Sequence, residues 1–310
     1  MRIEILGSAA GGGFPQWNCN CRNCRLARAG TFQGKIRGQT QIAVTHDGDF
    51  WFLLNASPDL RTQLERTRVL WPRAAGKRDS PIAGVLLTSA DLDQITGLLS
   101  LRELQPFRIY CTPSLRLILQ EDNSIFSMLN RTPNQVQWTD VQPGESFRLQ
   151  SVGGEDSGID CQIFSLGSRY PLYVSAERAA KLRTEEALLG VMLTPASGKK
   201  MAYLPAVPAI DKSLVDRLTD CDLILFDGTF WSEDELIAVQ GSGLRAGQMG
   251  HLPVSGPDGS MRRLAAVTKA QKIFVHVNNT NPLLDESSPE NAEARAAGWQ
   301  VAEDGWTFEL

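Results

Sequence analysis

Three cysteines fall close together as Cys19-x-Cys21-x-x-Cys24. Thiolates so near in sequence can wrap one Zn²⁺ that takes a fourth ligand from elsewhere in the chain; the alternative is three reduced cysteines that bind nothing. The remaining cysteines, Cys111, Cys161 and Cys221, each stand among apolar residues and read as small core side chains. A second group of chemically capable residues marks the ends of apolar runs. L-L-T-S-A-D-L-D sets Asp91 and Asp93 just past one run, L-I-L-F-D-G ends another on Asp227, and I-F-V-H-V carries His276 in a third. Loops at strand ends are where α/β folds assemble their sites, so an oxygen-rich, nitrogen-poor metal centre is expected.

Taken singly, each has a plainer reading. Asp91 and Asp93 suit the N-cap and first turn of a following helix, Asp227 before Gly228 suits a turn, and His276 suits a hydrogen-bonded core histidine. The coincidence of all four in one chain favours a site. His251, in G-Q-M-G-H-L-P-V, occupies a glycine-flanked loop ahead of a helix, from which a side chain can reach a cleft; a surface role is the open alternative. His46, beside Asp47-Gly48, reads as solvated surface. The stretch A-A-G-G-G-F-P lacks both the Lys-Ser/Thr of a phosphate loop and the G-x-G-x-x-G spacing. Its glycines instead let backbone pack close beneath a site.

The elements that must position these residues follow from periodicity. R-I-E-I-L is a short strand, and Q-I-A-V-T with F-W-F-L-L predicts a hairpin closed by a two-residue Asp47-Gly48 turn. D-L-R-T-Q-L-E-R-T and I-T-G-L-L-S-L-R-E-L have helical spacing, and I-A-G-V-L-L-T reads as a strand buried on both faces. C-Q-I-F-S-L, G-V-M-L-T, M-A-Y-L-P-A, D-L-I-L-F-D-G and K-I-F-V-H-V are further strands, with helices at K-S-L-V-D-R-L and M-R-R-L-A-A-V-T-K-A. Residues 73–80 and 153–158 read as surface loops. Strands grouped in each half with helices between them predict an α/β protein of two packed β-sheets with helices outside.

Of 310 residues, 42% are hydrophobic and 21% charged, which excludes disorder as the main state. The length suits two domains or one large α/β unit of two similar halves. A net charge of −4 and the lack of a basic tract exclude a binder driven by nucleic-acid phosphates. No apolar run reaches the ~18 residues of a membrane span, and glycines interrupt the N-terminus before a secretory core forms. A cytoplasmic location, with no membrane partner, is expected.

The segment T-S-A-D-L-D-Q-I-T-G-L resembles the metallo-β-lactamase superfamily signature T-H-x-H-x-D-H-x-x-G-L. Ser89, Asp91, Asp93 and Gln94 stand at its H, H, D and H positions, so only Asp93 is retained. The resemblance places Asp227 at the metal-bridging aspartate, His276 at the last histidine, and Ser168 or Arg169 at the middle one. It extends, through I-L-G-S-A-A-G-G-G-F-P-Q-W-N-C-N-C-R-N-C, L-F-D-G-T-F-W, M-G-H-L-P-V-S-G and H-V-N-N-T-N-P-L-L, to the branch that serves pyrroloquinoline quinone (PQQ) biosynthesis. These segments run from residue 5 to residue 284.

That resemblance implies an αββα sandwich of two packed mixed β-sheets flanked by helices, a single domain over 1–310 with halves near 1–150 and 151–310, and a homodimer. It implies a small-molecule partner, either PQQ or a peptide-derived, cross-linked Glu-Tyr precursor. Two roles follow: iron- and oxygen-dependent hydroxylation of the tyrosine ring, or carriage of the cofactor or its precursor toward the periplasm. A residual hydrolase is disfavoured by Ser89 and Gln94. The ligand set Asp91, Asp93, Asp227 and His276, with His251 as a second imidazole, suits one Fe(II) or Mn(II) better than a zinc pair, although Zn can substitute. His251 and Asp227 are the expected catalytic groups, His251 either as ligand or as proton-transfer group. Arg102 or Arg169 can pair with substrate carboxylates in either role. In similar phosphodiesterases of phosphonate metabolism the structural zinc of the cysteine motif takes its fourth ligand from a histidine, where this chain has Asn279.

Overall fold

The computed structural model describes residues 1–73 and 77–310. In chain order its strands are β1 (Arg2–Gly7), β2 (Gln41–Thr45), β3 (Trp51–Leu54), β4 (Ile82–Leu86), β5 (Phe107–Cys111), β6 (Val136–Asp140), β7 (Ser146–Gln150), β8 (Asp156–Gly167), β9 (Leu188–Pro195), β10 (Met201–Leu204), β11 (Leu223–Asp227), β12 (Gln271–Val275), β13 (Trp299–Val301) and β14 (Thr307–Glu309). The architecture is two mixed sheets flanked by helices, as the apolar runs predict. Contacts divide the chain into two compact units: residues 1–6, 41–199 and 305–310, and residues 7–40 and 200–304.

The first unit holds a seven-stranded sheet in the order β14-β1-β2-β3-β4-β5-β6. Its strands β3 to β6, out to the β6 edge, run parallel, and β4 is buried at every position. That burial explains its unbroken apolar sequence, because a central parallel strand faces packed side chains on both sides. The antiparallel strands β7, β8 and β9 belong to this unit too. Hydrogen bonds from Leu189 N to Thr88 O (2.9 Å), from Gln150 N to Tyr110 Oη (2.7 Å) and from Thr112 Oγ1 to Glu186 O (3.1 Å) tie them to β4 and β5. The central break between the two units falls at 199/200.

Several local expectations change. The link between β2 and β3 spans five residues, 46–50, because Asp47 Oδ1 accepts from Asp49 N (2.9 Å) and Phe50 N (3.2 Å) and holds a wider loop. His46 is exposed there, as expected. The loop expected at 73–80 includes residues 74–76, which lie outside the described residues; of the 153–158 loop, Asp156 onward is already strand. The helix expected over I-T-G-L-L-S-L-R-E-L is a short turn, Leu92–Ile95, followed by a 3₁₀ stretch, Thr96–Leu101. Gly97 N bonds to Ala56 O (2.9 Å) instead of continuing the helix, and a Cβ on Gly97 would stand 2.2 Å from Ser57 O.

In the second unit β10 to β13 form a parallel run. The helix Lys212–Thr219 forms as predicted, its Asp211 carboxylate accepting from Leu214 N (2.8 Å). The helix expected over M-R-R-L-A-A-V-T-K-A is only Ser260–Arg263. Cys111, Cys161 and Cys221 are buried, and burial raises all three thiols, Cys221 to about 12. Among the described residues no helix is long and apolar enough to cross a membrane.

Gly97→Ala should therefore lower stability by about 1–3 kcal/mol in urea unfolding, since a backbone oxygen must move to admit the methyl. A loss below about 0.5 kcal/mol would mean that the 55–57 loop yields freely.

Candidate metal centres

Both centres of the second unit grow out of its parallel strands. β11 and β12 are neighbours in a register that pairs Asp227 with Val275, so the acid at the end of one strand and His276, one residue past the other, emerge at the same carboxyl edge. That edge is where parallel sheets present ligands. Gly228 keeps the strands close: a Cβ there would stand 2.7 Å from Phe274 Cβ. His276 lies just beyond the apolar strand that was expected to contain it, with φ 57°, a left-handed conformation uncommon for a residue other than glycine.

Asp227 has no exposed surface. Its Oδ2 accepts from Val207 N (2.8 Å) and meets His251 Nδ1 at 2.7 Å, while Oδ1 accepts from Thr229 N (3.0 Å) and Thr229 Oγ1 (2.6 Å). Burial by itself would raise this carboxyl. The His251 imidazole, with His276 and the Thr229 hydroxyl, outweighs burial and holds it below the usual carboxylate range. His251 reaches it from a loop secured by Leu252 N to Val207 O (2.7 Å) and Val254 N to Phe230 O (2.9 Å). That loop runs on to the helix at Ser260. The rings of His251 and His276 stack with centroids 5.3 Å apart and planes at 22°. Asp227, His251 and His276 each offer a ligand atom within 4.8 Å of the others, a set of two imidazoles and one carboxylate that fits a divalent ion of borderline hardness.

Asp91 and Asp93 lie in the first unit and are not members of that cluster. Asp91 occupies the N-cap of the Leu92–Ile95 turn without a side-chain capping bond; its Oδ2 accepts from Ser89 Oγ (2.8 Å). Asp93 Oδ2 accepts from Gln94 Nε2 (3.2 Å), which leaves the buried Gln94 Oε1 with no hydrogen-bond partner. The capping reading therefore does not account for Asp91. Ser168 and Arg169 are exposed, and Arg102 turns to Leu99 O (2.8 Å) and Glu103 (3.4 Å).

The thiolate cluster forms at the start of the helix Arg22–Arg28. Cys21 caps that helix, its Sγ accepting from Cys24 N (3.5 Å), and Cys24 is fully buried. Burial pushes the Cys24 thiol up to about 12. It also raises Cys19, but there the Cys21 N–H, the neighbouring thiols and the Asn279 amide prevail and the net direction is down. Asn279 Nδ2 stands 3.1 Å from Cys19 Sγ, 3.7 Å from Cys21 Sγ and 3.4 Å from Cys24 Sγ. In a tetrahedral zinc site with Zn–S of about 2.3 Å and Zn–O of about 2.0–2.2 Å, the sulfur-to-oxygen edge is about 3.5–3.7 Å. The amide lies over the three sulfurs at close to that spacing, and turned over it would offer Oδ1 as the fourth donor to a Zn²⁺ held by the thiolates. The residues fit a closed zinc site.

One short segment joins the two centres. From His276 the chain runs through Asn278, whose N donates to Thr229 O (3.1 Å), to Asn279 over the sulfurs and Asn281, whose Nδ2 donates to Gly228 O (2.9 Å). Asn23 Nδ2, inside the cysteine motif, donates to Asn279 O (3.2 Å) and Asn281 O (3.1 Å). Thr280 donates to the buried Glu235. Thr229 and Glu235 were not singled out in the sequence. The available signals were a hydroxyl two residues past Asp227 and a polar run, N-N-T-N, directly after an apolar strand.

With this geometry the comparisons are consistent. Residues 50–277 match the family profile described as the β-lactamase superfamily domain, and the chain belongs to that superfamily. Coenzyme PQQ synthesis protein B of Ruegeria pomeroyi is 43% identical over 307 residues, covering 98% of each chain. The protein of that name from Methylorubrum extorquens is 41% identical over 311 residues and covers the whole of both chains. The crystal structure of Zn²⁺-bound PqqB from Methylobacterium extorquens superposes over all of both chains with TM-score 0.90 and 39% identity. Within the superfamily the chain is therefore a member of the coenzyme PQQ synthesis protein B family. A diphosphatase of the PhnP family, 19% identical with TM-score 0.66, shares the fold.

Zinc bound at Cys19, Cys21 and Cys24 should survive mild chelation, because a closed site has no open position for exchange. The double variant Cys21→Ser, Cys24→Ser should lose it; zinc content equal to wild type by atomic absorption would refute the assignment.

Proposed function

We propose that the chain acts in PQQ biosynthesis as a non-haem, metal-dependent oxygenase that hydroxylates the tyrosine ring of a peptide-derived, cross-linked Glu-Tyr precursor. The observation that carries this reading is the Asp227–His251–His276 cluster. Two imidazoles and one buried carboxylate are the donor set of non-haem iron oxygenases, and this chain lacks the histidines that a two-zinc hydrolase needs. His251, His276 and Asp227 would hold one Fe(II), with Mn or Zn able to substitute; the expectation that Asp91 and Asp93 also ligate rests on the sequence. When bound, the ion supplies oxygen activation.

The chain's own residues do the rest. Asp227, held below the usual carboxylate range despite burial, would offset the charge of the cation and orients His251. His251, held through Nδ1, is also placed to pass a proton, since its 12% side-chain exposure leaves it the most accessible member of the cluster. In the overall reaction one atom of O₂ enters the ring and the other leaves as water, with two electrons and two protons drawn from a reductant.

The test is anaerobic reconstitution with Fe(II), followed by the Glu-Tyr diamino acid, a small-molecule reductant and oxygen. Gain of one oxygen by the ring in mass spectrometry is the expected result. Tight binding of the diamino acid or PQQ by the iron-loaded protein without turnover would instead support carriage. His276→Ala should abolish stoichiometric Fe(II) binding with the fold intact, as read by calorimetric titration and circular dichroism. His251→Ala should bind Fe(II) much more weakly; full affinity with a ~10²- to 10⁴-fold slower rate would make it a proton-transfer group only.

A further inference from the structure

The hydroxyl of Thr229 touches every member of the cluster: Asp227 Oδ1 at 2.6 Å, His276 Nδ1 at 2.8 Å, His251 Nδ1 at 3.1 Å and His276 O at 2.9 Å. A hydroxyl has one proton, so these contacts can be assigned by elimination. Two of the contacts are to atoms that can only accept, Asp227 Oδ1 at 2.6 Å and His276 O at 2.9 Å, and the shorter, to the carboxylate, takes the hydroxyl proton, so Thr229 donates to Asp227 Oδ1. The 2.8 Å contact with His276 must then carry its proton from the ring, and His276 Nδ1–H donates to Thr229 Oγ1. His251 Nδ1, 2.7 Å from Asp227 Oδ2, donates to that oxygen, and its longer approach to Thr229 is secondary.

We infer that Thr229 is a positioning residue that locks His276 in the Nδ1–H tautomer, so that Nε2 is the basic nitrogen this ring presents to a metal. The inference rests on the proposal that the cluster holds a metal ion, and it deepens that proposal. Backbone geometry alone would not set the tautomer. His276 sits at φ 57° just past its strand, where the ring's direction depends on what its Nδ1 meets. The Thr229 hydroxyl oxygen meets it at 2.8 Å. It in turn is fixed by its own backbone, since Thr229 N donates to Asp227 Oδ1 (3.0 Å). The ionised carboxylate thus reaches both imidazoles, His251 directly and His276 through the hydroxyl. Partners of this kind commonly change metal affinity 10- to 100-fold when removed.

The test uses the full chain and Mn(II) as probe. Thr229→Val keeps the shape and the backbone N–H but removes the hydroxyl, and should bind Mn(II) about 10- to 100-fold more weakly. Thr229→Ser should bind within a few-fold of wild type. In the metal-free wild type, ¹⁵N–¹H spectra of the histidine side chains should give His276 as the Nδ1–H form, and Thr229→Val should give a mixture of tautomers. A role confined to stability would lower the melting temperature of Thr229→Val without moving affinity or tautomer. Mn(II) binding by Thr229→Val that is unchanged or tighter, or an Nε2–H form of His276 in wild type, overturns the inference. Should Thr229→Val not fold, the wild-type spectrum still decides it. Failure of the metal reading itself looks different: wild type and His276→Ala would then bind Mn(II) equally.

Discussion

The second unit is organised around one costly group, the fully buried carboxylate of Asp227. An ionised acid without water must be met by donors and positive charge or it takes up a proton. Here the donors come from separate parts of the chain: the N–H of Val207 after β10, the N–H and hydroxyl of Thr229, and the ring of His251. Satisfying the charge therefore fixes three loops at once. The same contacts that solve an electrostatic problem for the fold bring two imidazoles alongside a carboxylate, which is what makes the position able to hold a cation.

The segment from His276 to Asn281 carries this order to the thiolates. It begins at the His276 imidazole and passes over three sulfurs with the Asn279 amide. Backbone bonds to Thr229 and side-chain bonds from Asn23 and Asn281 clamp it from both directions. The loop at Gly7–Gly13 packs against it through Ala10 N to Val277 O and Val277 N to Ser8 O, both 3.0 Å. An ion among the cysteines would stiffen the strand end that presents His276, which is how a site with no part in the chemistry can serve it.

Two elements departed from expectation where a specific hydrogen bond overrode the preference read from the pattern. The run I-T-G-L-L-S-L-R-E-L has helical periodicity, yet Gly97 spends its N–H on Ala56 and admits the 55–57 backbone where a methyl would collide. Asp47-Gly48 is a strong turn signal between strands, but the Asp47 side chain captures two later N–H groups and widens the loop. In the first the competing partner is an entire element away, beyond the reach of periodicity; in the second it is a side-chain acceptor two and three residues back.

Much of the protein is legible without coordinates. Unbroken apolar runs such as I-A-G-V-L and L-I-L-F mark buried parallel strands, because burial on both faces excludes polar alternation. The acids and the histidine at the ends of such runs were visible for the same reason: a polar residue abruptly closing an apolar strand is costly unless it has work there. Cysteine spacing disclosed the thiolate cluster, because its three members lie within reach of one another along the chain. What required the tertiary structure was partnership between residues distant in sequence: Thr229 as the hub of the cluster, His251 brought from its loop onto Asp227, and Asn279 set over the sulfurs. Hydrogen-bond geometry decides these roles, and it acts over a few ångströms in space whatever the separation along the chain.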